Sequence, residues 1–134
     1  MNRVNISEID FNDDYSYTYK GEAFTGVVME HGPAGELISE MSFVDGVKEG
    51  PIREWYKSGA KRSEKNLHHG ALHGVSMEWF ETGKPKKREV AELGILLESD
   101  EWDEDGTLVA TYRLSENDAN FKILQQLRSA KWQK

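Results

Sequence analysis

The sequence contains no cysteine. Disulfides, thiolate metal sites and a cysteine nucleophile are therefore all excluded. It has no apolar run of the length a bilayer-spanning helix needs, so no integral membrane association is expected. The opening residues, Met1 to Glu8, lack the apolar stretch of a secretory leader, and the expected location is the cytoplasm. Basic residues are also in deficit. Seventeen Lys and Arg stand against 24 Asp and Glu, a net charge of −7. A nucleic-acid partner is not expected on that balance, because phosphate contacts need clustered cations. At 134 residues the chain is expected to form one domain with a modest core.

The charge is unevenly placed. Residues 92–106 hold Glu92, Glu98, Asp100, Glu101, Asp103, Glu104 and Asp105 with no Lys or Arg. The middle of the chain holds Lys57, Lys61, Arg62, Lys65, Lys84, Lys86, Lys87 and Arg88. Such polarity belongs either to a solvated surface or to steering toward a charged partner.

Glycine is what organises the chain. Gly46, Gly50 and Gly59 recur as Gly70, Gly74 and Gly83, a shift of 24. The preceding copy reads Gly21, Gly26 and Gly35; the following one reads Gly94 and Gly106, with Glu98 near the place of the middle glycine. Trp55, Trp79 and Trp102 each stand four residues before the last glycine of their copy, and His31 takes that place in the first. An acidic residue precedes each: Glu30, Glu54, Glu78 and Glu101. Columns in register define a repeat. Each copy reads as an aromatic-rich strand, a glycine-ended loop and a second strand, which is a hairpin. Helix is a poor alternative, since each interior glycine costs about 1 kcal/mol there.

The expected fold is mainly β: an elongated antiparallel sheet of about four repeated hairpins, near eight strands, with a C-terminal amphipathic helix. Its parts are an N-terminal strand and cap over residues 1–20, repeats over 21–114 and a helix over 115–132. Stability should come from stacking of neighbouring hairpins. Ser115 to Asp118 reads as an N-cap, and Phe121, Ile123, Leu124, Leu127 and Trp132 as the apolar side of the helix. That side either covers one end of the sheet or docks a partner. Period-two alternation places Val27, Val75, Met77, Trp55 and Trp79 on one face, read as the packed one. Glu30, Glu54 and Glu78 fall on the other with Tyr56 and Phe80.

Few residues suggest chemistry. His69 and His73 have ligand spacing on a helix, but Gly70 and Gly74 put them in a turn, so no metal is expected. No nucleophile elbow and no phosphate-cradling loop is present, and neither an enzyme nor a cofactor is expected. Candidate partner-binding residues are Glu54, Tyr56, Glu78 and Phe80 on the acidic face, and Asp100, Glu101, Asp103, Glu104 and Asp105 in the acidic run. An exposed aromatic-plus-acidic stripe has the character of a protein-binding surface, although the terminal segments could cover it instead.

The repeat resembles the MORN-repeat variant found in antitoxin components of bacterial toxin–antitoxin systems. The resemblance covers residues 19–114. It is carried by Lys20-Gly21-Glu22-Ala23-Phe24-Thr25-Gly26, Arg53-Glu54-Trp55-Tyr56, His73-Gly74 and Trp102-Asp103-Glu104-Asp105-Gly106. The first copy departs at His31-Gly32-Pro33, and the fourth is shortened. The resemblance implies a cytosolic immunity protein that neutralises a cognate toxin by stoichiometric occlusion. Against a nuclease toxin, the acidic run would stand in for phosphates. Two other readings stay open. One is a structural scaffold or membrane-surface module, for which the basic stretch Lys84 to Arg88 would serve. The other is a carbohydrate-binding module using the tryptophans.

Overall fold

The computed structural model describes residues 2–130; Trp132 lies outside the described residues. Two kinds of turn alternate along the repeat. At Lys20–Gly21, Asp45–Gly46, His69–Gly70 and Leu93–Gly94 both residues have positive φ, 49–54° for the first and 82–83° for the glycine. Two successive positive φ values mark the two-residue hairpin turn whose twist matches that of its strands. The second kind is closed by Gly35, Gly59, Gly83 and Gly106, whose N–H groups donate to Gly32, Tyr56, Phe80 and Asp103.

These turns cut the chain into short strands. At the N-terminus lie β1 (Asn2–Asn5), a 3₁₀ turn (Ile6–Glu8), β2 (Ile9–Phe11), β3 (Tyr17–Tyr19) and β4 (Glu22–Ala23). The first hairpin is β5 (Gly26–His31) with β6 (Leu37–Val44), and the second is β7 (Val47–Trp55) with β8 (Lys61–His68). A short β9 (Ala71–Leu72) precedes the third, β10 (Gly74–Trp79) with β11 (Pro85–Glu92). The fourth is β12 (Ile95–Trp102) with β13 (Leu108–Arg113), and a helix, α1 (Ala119–Ser129), follows. The main sheet runs β1-β5-β6-β7-β8-β10-β11-β12-β13, with β9 on β8. Its eight hairpin strands form the expected antiparallel array, and β1 adds a parallel edge alongside β5. Strands β2, β3 and β4 form a separate small sheet.

Each hairpin carries a bulge at the same place. The register slips at Glu30/His31, Glu54/Trp55, Glu78/Trp79 and Glu101/Trp102. The extra residue lies on the returning strand: Ile38, Arg62, Lys86 and Val109. A bulge increases local twist and breaks the alternation of side chains.

The apolar core is local. Val4, Phe24, Val28 and Phe43 are buried where the small sheet covers the first hairpin, with Ile9, Tyr17, Tyr19 and Met41 packed against them. Further along, the best-buried strand positions include Ser39, Ser63, Ser76 and Ser99. Helix α1 is capped by Asp118, which accepts the Asn120 N–H; Ser115 Oγ instead accepts the Asn117 N–H one turn earlier. Leu124 is its one buried residue, Phe121 and Leu127 are half-buried, and Ile123 is exposed. Arg128 pairs with Glu92 through two 2.7 Å hydrogen bonds, which tie the helix to the end of β11.

Candidate protein-binding face

Cross-strand partners share a face. The strand registers therefore define a ladder across the eight hairpin strands: Glu30–Ser39–Glu54–Ser63–Glu78–Lys87–Glu101–Ala110. The repeat's acidic column thus becomes a line perpendicular to the strands. Serines separate the first three carboxylates. Ser63 Oγ donates to Glu54 at 2.7 Å and Ser39 Oγ to Glu30 at 3.4 Å. Lys87 replaces serine at the next step, 3.5 Å from Glu101 and 3.6 Å from Glu89. Burial opposes the Lys87 charge, but Glu89, Glu101 and Glu78 together hold its ammonium pKa above the ordinary value. Four carboxylates against one ammonium leave the line negative.

The buried strand positions correct one expectation. Val28, Phe43, Ala91 and all four buried serines lie on this glutamate face, and only Val27 is buried opposite. The packed side is therefore the glutamate side rather than the tryptophan side. Its counterpart is a line of alternating charge, Glu40–Arg53–Glu64, continuing through Met77 to Arg88–Asp100. Arg53 pairs with Glu64 at 3.4 Å, Arg88 with Glu98 at 3.7 Å, and Arg3 with Glu40.

The extra residue of each bulge lies on the returning strand, so the glutamate–tryptophan pair keeps its alternation: Lys61, which pairs with Glu64 on the face opposite the ladder, also stands over the Trp79 ring at 5.3 Å. Trp55 borders a cleft of about 310 Å³ together with Glu30, Ser39, Glu54, Tyr56 and Arg62. Two repeats on, Trp102 borders a cleft of about 270 Å³ with Glu78, Lys87, Glu101, Lys86 and Val109. These are the same place in the repeat, acidic on the ladder side and aromatic on the turn side. The indoles are half-buried. The bulge residues also place cations over the turn aromatics, Arg62 over Tyr56 at 5.6 Å and Lys86 over Phe80 at 5.7 Å. Tyr56 Oη donates to the Trp79 carbonyl at 2.7 Å, which links two hairpins.

The structure thus brings Glu54, Tyr56, Glu78 and Glu101 to one side but divides the acidic run. Asp100 lies on the opposite face, bonded to Arg113 at 3.1 Å and to Thr111 at 2.7 Å. The Arg113 hydrogen bond, followed by that from Thr111, holds its carboxyl below the ordinary range. Asp103 Oδ1 accepts the N–H groups of Asp105 and Thr107 inside the turn. Glu104 and Asp105 are exposed at its tip. The basic stretch is similarly spoken for: Lys84 bonds the Glu104 carbonyl, Lys87 faces glutamates and Arg88 faces Glu98. The serines of the ladder were not singled out from sequence, and Lys87 was named only as part of the basic stretch. Their spacing of 24, Ser39–Ser63–Lys87, is the signal that marks them.

No family model matches the sequence, and no curated protein matches it. A solved structure of accessory secretory protein 1, 2 and 3 in Streptococcus pneumoniae is similar over 83% of this chain and 19% of its own, with a TM-score of 0.39 and 16% identity. The chain thus spans about a fifth of that protein's length, and a likeness this low carries no argument about function. Among the described residues no helix is long and apolar enough to cross a membrane.

Proposed function

We propose that the chain is a cytoplasmic binding protein rather than an enzyme, and that it neutralises a cognate bacterial toxin by stoichiometric occlusion. The observation that carries this reading is the glutamate ladder with its acidic–aromatic clefts at the bulges. Such a face offers half-buried aromatic side chains beside carboxylates, the composition expected of a protein-binding hot spot. The partner it suits presents basic side chains, as the substrate groove of a nuclease toxin does. In this form of the reading the ladder, with Glu54, Glu78 and Glu101, replaces the residue 98–105 run as the phosphate mimic. Pairing of Lys87 and Arg88 with glutamates halves the charge the basic stretch could offer an anionic membrane, which favours a protein partner.

The test is co-expression with a toxin domain encoded beside this gene. The native chain should restore growth, and a Glu54→Lys, Glu78→Lys double variant should not. Affinity for that toxin should weaken as salt is raised from low to physiological, as charge-steered association does. A dissociation constant flat across that range would remove the electrostatic version. Failure to rescue or bind would remove the toxin reading altogether.

A further inference from the structure

The bend after the two-residue turn does one job in three successive copies. The side chain of Thr25, Glu49 or His73 accepts the backbone N–H of the residue twenty places on. Thr25 Oγ1 takes Asp45 N–H at 2.8 Å, Glu49 Oε1 takes His69 N–H at 2.9 Å, and His73 Nδ1 takes Leu93 N–H at 3.1 Å. Each copy thereby latches its own far turn, and a single hydroxyl is enough for the task. In the second copy the acceptor is a carboxylate, and Oε2 is left over after the latch is made. That oxygen lies 2.8 Å from His68 Nδ1, and His69 Nδ1 is 3.8 Å from Oε1. The two imidazoles are 4.0 Å apart between centroids. The equivalent pairs elsewhere are Val44 and Asp45 beside Thr25, and Glu92 and Leu93 beside His73. Glu92 is already taken by Arg128. Only the second copy gathers three ligating side chains, their ligand atoms all within 4.8 Å of one another.

We propose that Glu49, His68 and His69 bind a divalent transition-metal ion of the zinc class. A tetrahedral ion at ligand distances of about 2.0–2.1 Å holds its ligand atoms roughly 3.4 Å apart. One ligand atom from each residue already lies within 4.8 Å of the others, so the three side chains need only draw inward to reach that spacing. Two imidazoles with one carboxylate suit zinc, nickel or copper; calcium and magnesium prefer all-oxygen sets. His73 stands 5.7 Å from His68 but spends its Nδ1 lone pair on the Leu93 N–H, so it forms a wall and not a ligand. Three protein ligands leave the fourth position to water, and exposure of His69 opens the site to solvent. Burial raises the Glu49 carboxyl, but the His69 N–H and the His68 ring outweigh it and hold the group below the ordinary range. Glu49 is therefore anionic at neutral pH. This site is independent of the partner-binding reading.

The test uses the full chain without a polyhistidine tag, titrated with Zn²⁺ by calorimetry and with Co²⁺ by visible absorption. One equivalent should bind, in competition between the two ions. Glu49→Gln keeps an oxygen for the latch but removes the charge, and should weaken binding more than about tenfold. His68→Asn with His69→Asn should abolish it, whereas His73→Asn should leave it essentially unchanged. On the unaltered protein, sub-stoichiometric Ni²⁺ should broaden the imidazole NMR signals of His68 and His69 before all others. The proposal is overturned by absence of saturable one-equivalent binding, by binding that survives the double variant, or by broadening centred elsewhere.

Discussion

The first hairpin and the middle hairpins share one repeat but live under different cover. Over the first, the small β2–β4 sheet closes the glutamate face, and Val28 is 1% exposed. The equivalent positions in later copies are Ile52, Ser76 and Ser99. A neighbouring column runs Phe43, Leu67, Ala91, from a large buried ring to a methyl group. Where a second layer exists, the columns carry apolar volume. In the second copy they hold the half-buried Ile52 and Leu67, and beyond it they shrink to serine or alanine, which neighbouring strands' longer side chains can cover. The same backbone thus serves as half of a sandwich at one end and as a single layer in the middle. Stability is concentrated at the covered end, which leaves the middle of the face available for a partner.

The sharpest way to break this comparison is truncation in the Phe43 column. Phe43→Ala should cost about 3–5 kcal/mol by chemical denaturation, the usual loss for a buried phenylalanine. Leu67→Ala, at the half-buried equivalent, should cost clearly less, and equal losses would deny that the core is local. Turns provide the next contrast. At Gly46 an added Cβ would lie 2.9 Å from the Tyr17 carbonyl oxygen, whereas at Gly59 it would meet open space. Both glycines have φ in the left-handed region, +82° and +92°. Gly59→Ala should therefore lower stability by about 1–2 kcal/mol, the strain of that backbone alone. Gly46→Ala should lose more, because the small sheet must also give way; melting temperatures of the pair decide it.

The smallest effect is expected at the far end. A hydrogen bond from Arg128 holds the Glu92 carboxyl below its ordinary range, outweighing partial burial, which raises it. A depressed carboxyl stabilises the fold above its unfolded pKa, near 4.3, and that contribution disappears as pH falls through the lowered folded value. Arg128→Ala should thus lower stability only slightly at neutral pH, given solvent screening of the pair. The gap between variant and parent should close on acidification below pH ~4. A gap that persisted unchanged into acid would assign the loss to packing of the arginine stem instead.

Much of the fold was legible because glycine's demands are local. Positive φ at the turn positions needs no knowledge of neighbours, so the number of hairpins and the turn positions follow from the spacing of Gly46, Gly70 and Gly94 and of Gly59, Gly83 and Gly106. The candidate site was legible only in part. Glu54 and Glu78 were placed on one face correctly and Trp79 on the other, but alternation gave no sign of the bulge beside them. The bulge between Glu54 and Trp55 leaves no mark in either residue; it arises from Arg62 as the extra residue in the returning strand. Ser115 likewise looked like the helix cap, and the choice of Asp118 depended on where the chain leaves β13.

The 24-residue spacing by itself determined the mainly β class, the turns and the membership of the acidic column, because every copy repeats the same local geometry. Tertiary structure alone decided which columns are covered, how the acidic run is divided between two faces, and that Glu49 meets His68 and His69. The physical reason is that these depend on cross-strand register. Register is set by bulges, bends and a covering sheet, and relates residues that are neighbours in space though some twenty positions apart in the chain.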